Sequence, residues 1–339
     1  MRIYKILFSL FLRKRFLSFP LAISFMTLAP PPFIACALAN EYPEKTIRWV
    51  VPTPAGTSVD IAARLIAQPL RESLGQVILI DNKPGAGGTI GAMEVARSAP
   101  DGYTYFVGFN GPLVTAPLLS GSKKYNPQEI FSPVVATVSL PHVLAISGSS
   151  SAHSLSEFVA LVKTQHDRFN YASVGQGSAS HLAMELFKSR VSLKLSHVPF
   201  NGGPAATQAL MMGDVQALFS AYINVKEFAA SRRLHILALA QDKRSNQAPE
   251  VPTFKELGFP SIEAPLFNAL VAPTKTPESM IRIMNREIRA VLDRATLKET
   301  LSSRGMDVMG GAPHDLKDLL LSETKRCDPL ILQLGLSEP

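Results

Sequence analysis

Asn170–Phe187, NYASVGQGSASHLAMELF, packs the end of a strand, a glycine-bearing turn and the start of a helix into one short stretch. Asn170, Tyr171 and Ala172 close an extended run, and Gly175, Gln176 and Gly177 make the turn. Ser178 or Ser180 then caps a helix carrying Leu182, Leu186 and Phe187. Such a turn offers backbone N–H groups at the positive end of a helix dipole, where a carboxylate or phosphate is readily held. The dinucleotide fingerprint is only half present. Ser180 stands where its third Gly belongs, and no acidic residue lies about 20 residues on, near Lys194 to His197.

The same strand, turn and helix alternation runs outward from this stretch in both directions. Upstream, Thr46–Val51 reads as a strand, Pro52–Ser58 as a turn, and Val59, Ala63, Ile66 and Leu70 as one face of a helix. Pro69 should kink or end that helix about a turn before Gly75, because it removes a backbone donor. Val77–Ile80 is the next strand, Asn82–Gly88 turns into a helix over Ile90–Ala99, and Tyr103–Val107 follows as a third strand. Val134–Ile146 reads as an extended crossing interrupted at Pro141, and Ser154 with Glu157 has capping-box spacing before a helix. Downstream, Lys194–Val198 is a strand, Phe200–Gly203 a turn, and Pro204 suits a first helical position in a helix that Gly213 ends. Val215–Phe219 and His235–Ala240 are further strands, and Phe267–Val271 is a return crossing. Ile281, Met284, Ile288 and Leu292 form the buried stripe of a long helix. This pattern predicts an α/β protein with largely parallel sheets, whose Gly-rich turns lie on the edge where ligands bind.

Composition narrows the functional classes. The chain has 339 residues, 46% hydrophobic and 18% charged, enough for one large or two moderate domains. Its formal charge of +7 is misleading, because Arg2, Lys5, Arg13, Lys14 and Arg15 all precede the first acid, Glu41. Without those five, 29 basic residues face 27 acidic ones, and nothing points to nucleic acid as a partner. The basic start, the apolar run Phe16–Leu28 and the small–x–small pattern Ala37-Leu38-Ala39 predict a signal peptide over residues 1–39, cleaved after Ala39, and export to the periplasm. Pro20 and Pro30-Pro31-Pro32 interrupt the run short of the ~20 residues that span a bilayer. Ile34-Ala35-Cys36 offers lipidation at Cys36 as an alternative. Cleavage would leave Cys327 alone, so no internal disulfide is expected, and no His spacing suggests a metal site. No cofactor is expected either.

The ordered set of motifs resembles the periplasmic solute-binding receptors of tripartite tricarboxylate transporters, the Bug receptors. The resemblance rests on Tyr42-Pro43 through Val51-Pro52, Asp60, Leu74-Gly75-Gln76, Asn82–Gly88, Asp101–Thr104, Asn170–Phe187, His197–Phe200, Gly202-Gly203 and Val251-Pro252-Thr253. It implies a two-lobed type II periplasmic-binding-protein fold with two extended interlobe crossings. Lobe 1 would be residues 40–140 and 265–339, and lobe 2 residues 141–264. It also implies a monomer that captures a small carboxylate ligand in the interlobe cleft and delivers it to the membrane components of such a transporter. Carried over, the ligand-binding positions are Ala55, Gly56, Thr57, Ser58 and Asp60 on one lobe and Gln176, Gly177, Ser178 and His181 on the other, with Asn110 and Gly111 lining the cleft. The chain departs from the family where Thr57 replaces a usual Gly, Val59 a frequent Thr, Ser220-Ala221 a common Asp-Asn and Phe267 a common Trp. An Asp could read an amino group, so Ser220 in its place favours a simple carboxylate over an amino acid.

Two rival functions share these residues. Ser178 and His181, three apart on a helix, could be nucleophile and base of a hydrolase. However, no G-x-S-x-G elbow and no carboxylate to orient the His can be identified. A receptor that presents its liganded form to a membrane signalling partner would have the same sequence features. Met211-Met212 and the aliphatic stripes read as core rather than as a cofactor surface.

Overall fold

The computed structural model describes residues 42–119, 125–165, 168–200 and 202–336. The expected signal peptide with Cys36 and Ala39, and Asn201 of the expected turn, lie outside them. The first sheet begins with β1 (Ile47–Val51), α1 (Ser58–Leu74), β2 (Ile78–Asn82), α2 (Thr89–Ala96) and β3 (Thr104–Phe109). Short helices α3 (Ala116–Leu119) and α4 (Pro127–Ile130) lead into the long strand β4 (Phe131–Leu140). The second sheet takes β5 (His142–Ser147), α5 (Leu155–Thr164), β6 (Asn170–Ser173), α6 (Ala179–Val191), β7 (Ser196–Pro199), α7 (Gly203–Met212), β8 (Ala217–Ala221), α8 (Lys226–Ala230) and β9 (Leu234–Leu239). The chain then returns to the first sheet through β10 (Leu266–Pro273), α9 (Glu278–Leu292), α10 (Ala295–Ser303), β11 (Asp307–Gly310) and α11 (Pro313–Gln333).

Each sheet is mixed, for a reason that lies in the crossings. Strand order is β11-β4-β10-β3-β1-β2 in the first sheet and β7-β6-β8-β5-β9 in the second. Within the βα units β1 is parallel to β2 and β3, and β6 is parallel to β7 and β8. Strands of such units end at the cleft, so a chain arriving from the other lobe must enter its new sheet in the opposite direction. β5 accordingly runs antiparallel to β8 and β9, and β10 antiparallel to β3 and β4. The expectation of largely parallel sheets therefore holds for the βα units and not for the entering strands.

Helices cover both faces of both sheets, and the alternation of side chains along each strand sorts them. In β1, Ile47, Trp49 and Val51 pack with Ala63, Ile66 and Leu70 of α1 and with Ile281, Met284, Ile288 and Leu292 of α9. Val50 points the other way, to Val95 of α2 and Leu316, Leu320 and Ile331 of α11. In the second lobe Leu144 and Ile146 face Phe158, Met184 and Phe187, while Val143 and Ala145 face Ala206 and Leu210. Leu182 of α6 packs with the α11 side of the first lobe, so the two lobes share apolar contacts there. The helix holding Pro69 does not end early: α1 continues to Leu74 and stops at Gly75, whose φ of 64° makes it the C-cap. Leu70, fully buried just beyond the proline, holds that last turn on the sheet.

Candidate functional site

The first cleft loop runs from β1 to α1 and is tied down by its own side chains. Thr57 N-caps α1, accepting the Asp60 N–H at 3.4 Å, and its hydroxyl lies 2.7 Å from that of Thr53. Asp60 is 2% exposed, and its carboxylate accepts the Gly56 N–H at 2.9 Å, Asn82 Nδ2 at 2.9 Å and Arg64 Nε at 3.0 Å. Burial alone would push this carboxyl up. The bonds from Arg64, Gly56 and Asn82 outweigh it and hold the carboxyl below the usual range.

The second cleft loop, from β6 to α6, is built the same way. Ser178 caps α6, accepting the His181 N–H at 3.4 Å and donating its own hydrogen to the Gly175 carbonyl at 2.6 Å. His181 Nδ1 accepts the Gly177 N–H at 2.9 Å, which fixes the neutral ring with its proton on Nε2. Behind it the His197 ring stacks at 3.9 Å, and Tyr171 lies 5.0 Å beyond His197. Burial, with the His197 ring beside it, pushes the His181 imidazole down to about 4. Gly177 has φ of 71°, and a Cβ there would sit 2.2 Å from the Leu119 side chain of the first lobe, so any other residue would strain its own backbone and displace Leu119.

Between the two loops lies a cavity of about 990 Å³. Of the residues singled out from sequence, Ser58, Asn110, Gly111, Gln176, Gly177, Ser178 and Ser220 line it. Ala55, Gly56, Thr57, Asp60 and His181 do not, and the last three hold the loops from behind. Ser178 lines the cavity with its hydroxyl hydrogen directed to the Gly175 carbonyl. Asn110 acts on the second crossing: its Nδ2 donates to the Pro265 carbonyl at 2.9 Å and its Oδ1 accepts the Phe267 N–H at 3.0 Å.

The chemistry of the lining follows from what it omits. Among the described residues no Asp, Glu, Lys or Arg lines the cavity, and its walls include Val59, Phe109, Leu119, Leu140, Phe219 and Phe267. Its single imidazole, His142, is buried and neutral: burial pushes it down to about 4, against the pull of the Ala264 and Phe219 carbonyls. Beside neutral polar side chains such as Gln176 and Ser220, helix starts contribute to the polar lining. Ser58 and Val59 open α1, Ala179 and Ser180 open α6, and Gly203 opens α7, and all five line the cavity. The backbone N–H groups of Ser58, Val59, Ala179 and Ser180 have no partner among the described residues. These are the unsatisfied donors of helix N-termini, and they suit an anion without any cationic side chain.

The sequence reading did not assign Thr53, Gly203, Asn224 and Asn268 to the cavity, although they line it. Gly202-Gly203-Pro204 carried the signal for one of them, a third glycine turn opening a helix at the same sheet edge.

A two-lobed α/β fold, closed around a cavity lined by helix N-termini from both lobes, defines a solute-binding protein of the periplasmic type. The family model described as the tripartite tricarboxylate transporter family receptor matches residues 62–336, and this chain belongs to that family. It is 31% identical over 316 residues to Protein BugT of Bordetella pertussis, covering 93% of this chain and 97% of that one. Among solved structures it is similar to Rpa4515 of R. palustris with adipate, with a TM-score of 0.78 and 28% identity over 87% of this chain and 98% of that chain. It is also similar to MatC (Rpa3494) from Rhodopseudomonas palustris with bound malate, with a TM-score of 0.74 and 32% identity over 86% of this chain and all of the other.

Proposed function

We propose that this protein is exported to the periplasm, holds a small carboxylate in the interlobe cavity and passes it, chemically unchanged, to the membrane components of a tripartite tricarboxylate-type transporter. The observation that carries this reading is that, among the described residues, N–H groups of α1 and α6 have no partner and no charged side chain lines the cavity they face. An anion there is met by dipoles fixed in place before it arrives, so little is lost in ordering the site. The relatives solved with adipate and with malate support the same ligand class. Ser220 lines the wall where an acidic residue would be needed to hold an amino group, which favours a simple carboxylate.

Turnover is disfavoured by the wiring of the only Ser and His pair the sequence suggested. Ser178 donates to a backbone carbonyl and His181 Nδ1 accepts a backbone N–H, so neither prepares the other as nucleophile and base. A thermal-shift screen of di- and tricarboxylates, aromatic acids and amino acids tests the reading. A ligand at about 100 times its Kd should stabilise the fold by about 2.7 kcal/mol. Recovery of the ligand altered, in proportion to protein and time, would establish an enzyme instead.

A further inference from the structure

Asn268 is the only polar residue in the buried run Phe267–Ala272 of β10, and it is 2% exposed. Its backbone is in register with Phe109 and Val138, and its carbonyl accepts the Thr137 hydroxyl at 3.0 Å. The side chain is a different matter. Its Nδ2 is buried without a partner, and Oδ1 forms no hydrogen bond among the described residues. Two other buried asparagines show how this fold treats an amide it uses internally. Asn110 engages both of its polar atoms, and Asn285 Nδ2 donates to the carbonyls of Val134 and Gly311 at 2.8 and 2.9 Å.

A buried orphan donor is rare in native proteins, and an apolar side chain of similar size would serve the packing of β10 better. Asn268 lines the same cavity as the helix starts, on the strand that returns to the first sheet. We infer that Asn268 is a specificity-determining ligand contact, whose carboxamide reads a hydrogen-bond acceptor on the ligand separate from the carboxylate held at the helix N-termini. This rests on the carboxylate reading above. The described lining holds no cation, so within it a second carboxylate or other distal acceptor is met by neutral donors, and Asn268 offers one that is fully buried without a partner. The favoured ligand therefore has two polar ends and an apolar body against Phe109, Leu119 and Phe267.

Titration calorimetry on the wild type, Asn268→Leu and Asn268→Asp decides this, with succinate, glutarate, adipate and suberate each measured beside the monocarboxylate of the same chain length. The wild type should favour at least one diacid over its partner by about tenfold, the value of a hydrogen bond to a charged group. Asn268→Leu should erase that preference by lowering the diacid affinity about tenfold more than the monoacid affinity, and raise the ligand-free melting temperature, because the orphan amide is gone. Asn268→Asp, nearly the same shape, should weaken the diacid further by setting two carboxylates face to face, and it keeps the test decisive if the Leu variant does not fold. A preference that survives Asn268→Leu, equal losses for both acids, or a wild type that does not discriminate between them would each overturn the inference and leave the carboxylate reading standing. A wild type that binds none of these acids would overturn the inference, and the carboxylate reading falls with it if the tricarboxylates and aromatic acids of the thermal-shift screen also fail to bind.

Discussion

Ser178 serves two backbone groups at once, capping the His181 N–H and donating to the Gly175 carbonyl. Its replacement by Ala should therefore act first on the loop. The ligand-free protein is expected to lose about 1 kcal/mol, as for other N-caps, while affinity changes by no more than about threefold. Denaturant melts beside calorimetric titration measure both quantities. An affinity loss of about tenfold or more with an unchanged melt would return the hydroxyl to direct ligand contact. Sequence placed Ser178 at the start of α6, where it caps the helix and lines the cavity. The direction of a hydroxyl hydrogen was not legible, because it depends on where the Gly175 carbonyl turns. Asp60 and His181 illustrate the same limit. The family resemblance marked them as ligand-binding positions, yet only the folded backbone shows both side chains turned to N–H groups rather than to the cavity.

At the scale of elements, the repeated unit is a strand, a glycine turn and a helix whose first-turn side chain folds back onto the turn. In α1 the returning group is Asp60 on the Gly56 N–H, and in α6 it is His181 on the Gly177 N–H. Asp60→Ala should loosen the first turn by leaving the Gly56 N–H unpartnered and Asn82 Nδ2 with only the Thr53 carbonyl, while Arg64, half exposed, is resolvated. A loss of about 2–3 kcal/mol in a denaturant melt is expected, with weaker ligand binding alongside. A change below about 0.5 kcal/mol would mean that the carboxylate does not organise the loop. The units themselves were readable, since periods of two and of 3.6 residues alternate cleanly and each glycine turn separates them. The two entering strands were readable only as extended runs. β5 and β10 owe their antiparallel direction to partners far away in sequence, which local pattern does not encode. Pro69 misled for a related reason: propensity predicts a break, and the burial of Leu70 against the sheet overrides it.

For the whole molecule, the decisive contacts lie where the two crossings run side by side. His142, just after Pro141 on the first crossing, donates Nδ1–H to the Ala264 carbonyl on the second at 2.9 Å, and Asn110 grips Pro265 and Phe267 one step further on. The lobes were expected only through the family resemblance, because crossings become crossings only when distant strands pair. Acid should test this joint. His142 and His181 are both held neutral at about 4, against an ordinary value of 6.5, so the unfolded chain binds more protons than the folded one between those values. Stability is then flat above pH 6.5 and falls as pH drops towards 4, by about 3 kcal/mol for His142 once the window is crossed. In the upper part of the window Asp60, held below the usual carboxylate range, stays charged and adds no slope. His142→Asn keeps an N–H near the position of Nδ1 for the Ala264 carbonyl and removes the titration. Urea melts across the window should show a shallower slope for this variant than for the wild type, with His181 and His197, both held below the ordinary imidazole value by burial, supplying slope that remains. Equal slopes would mean that His142 is not the group whose protonation weakens the joint between the lobes.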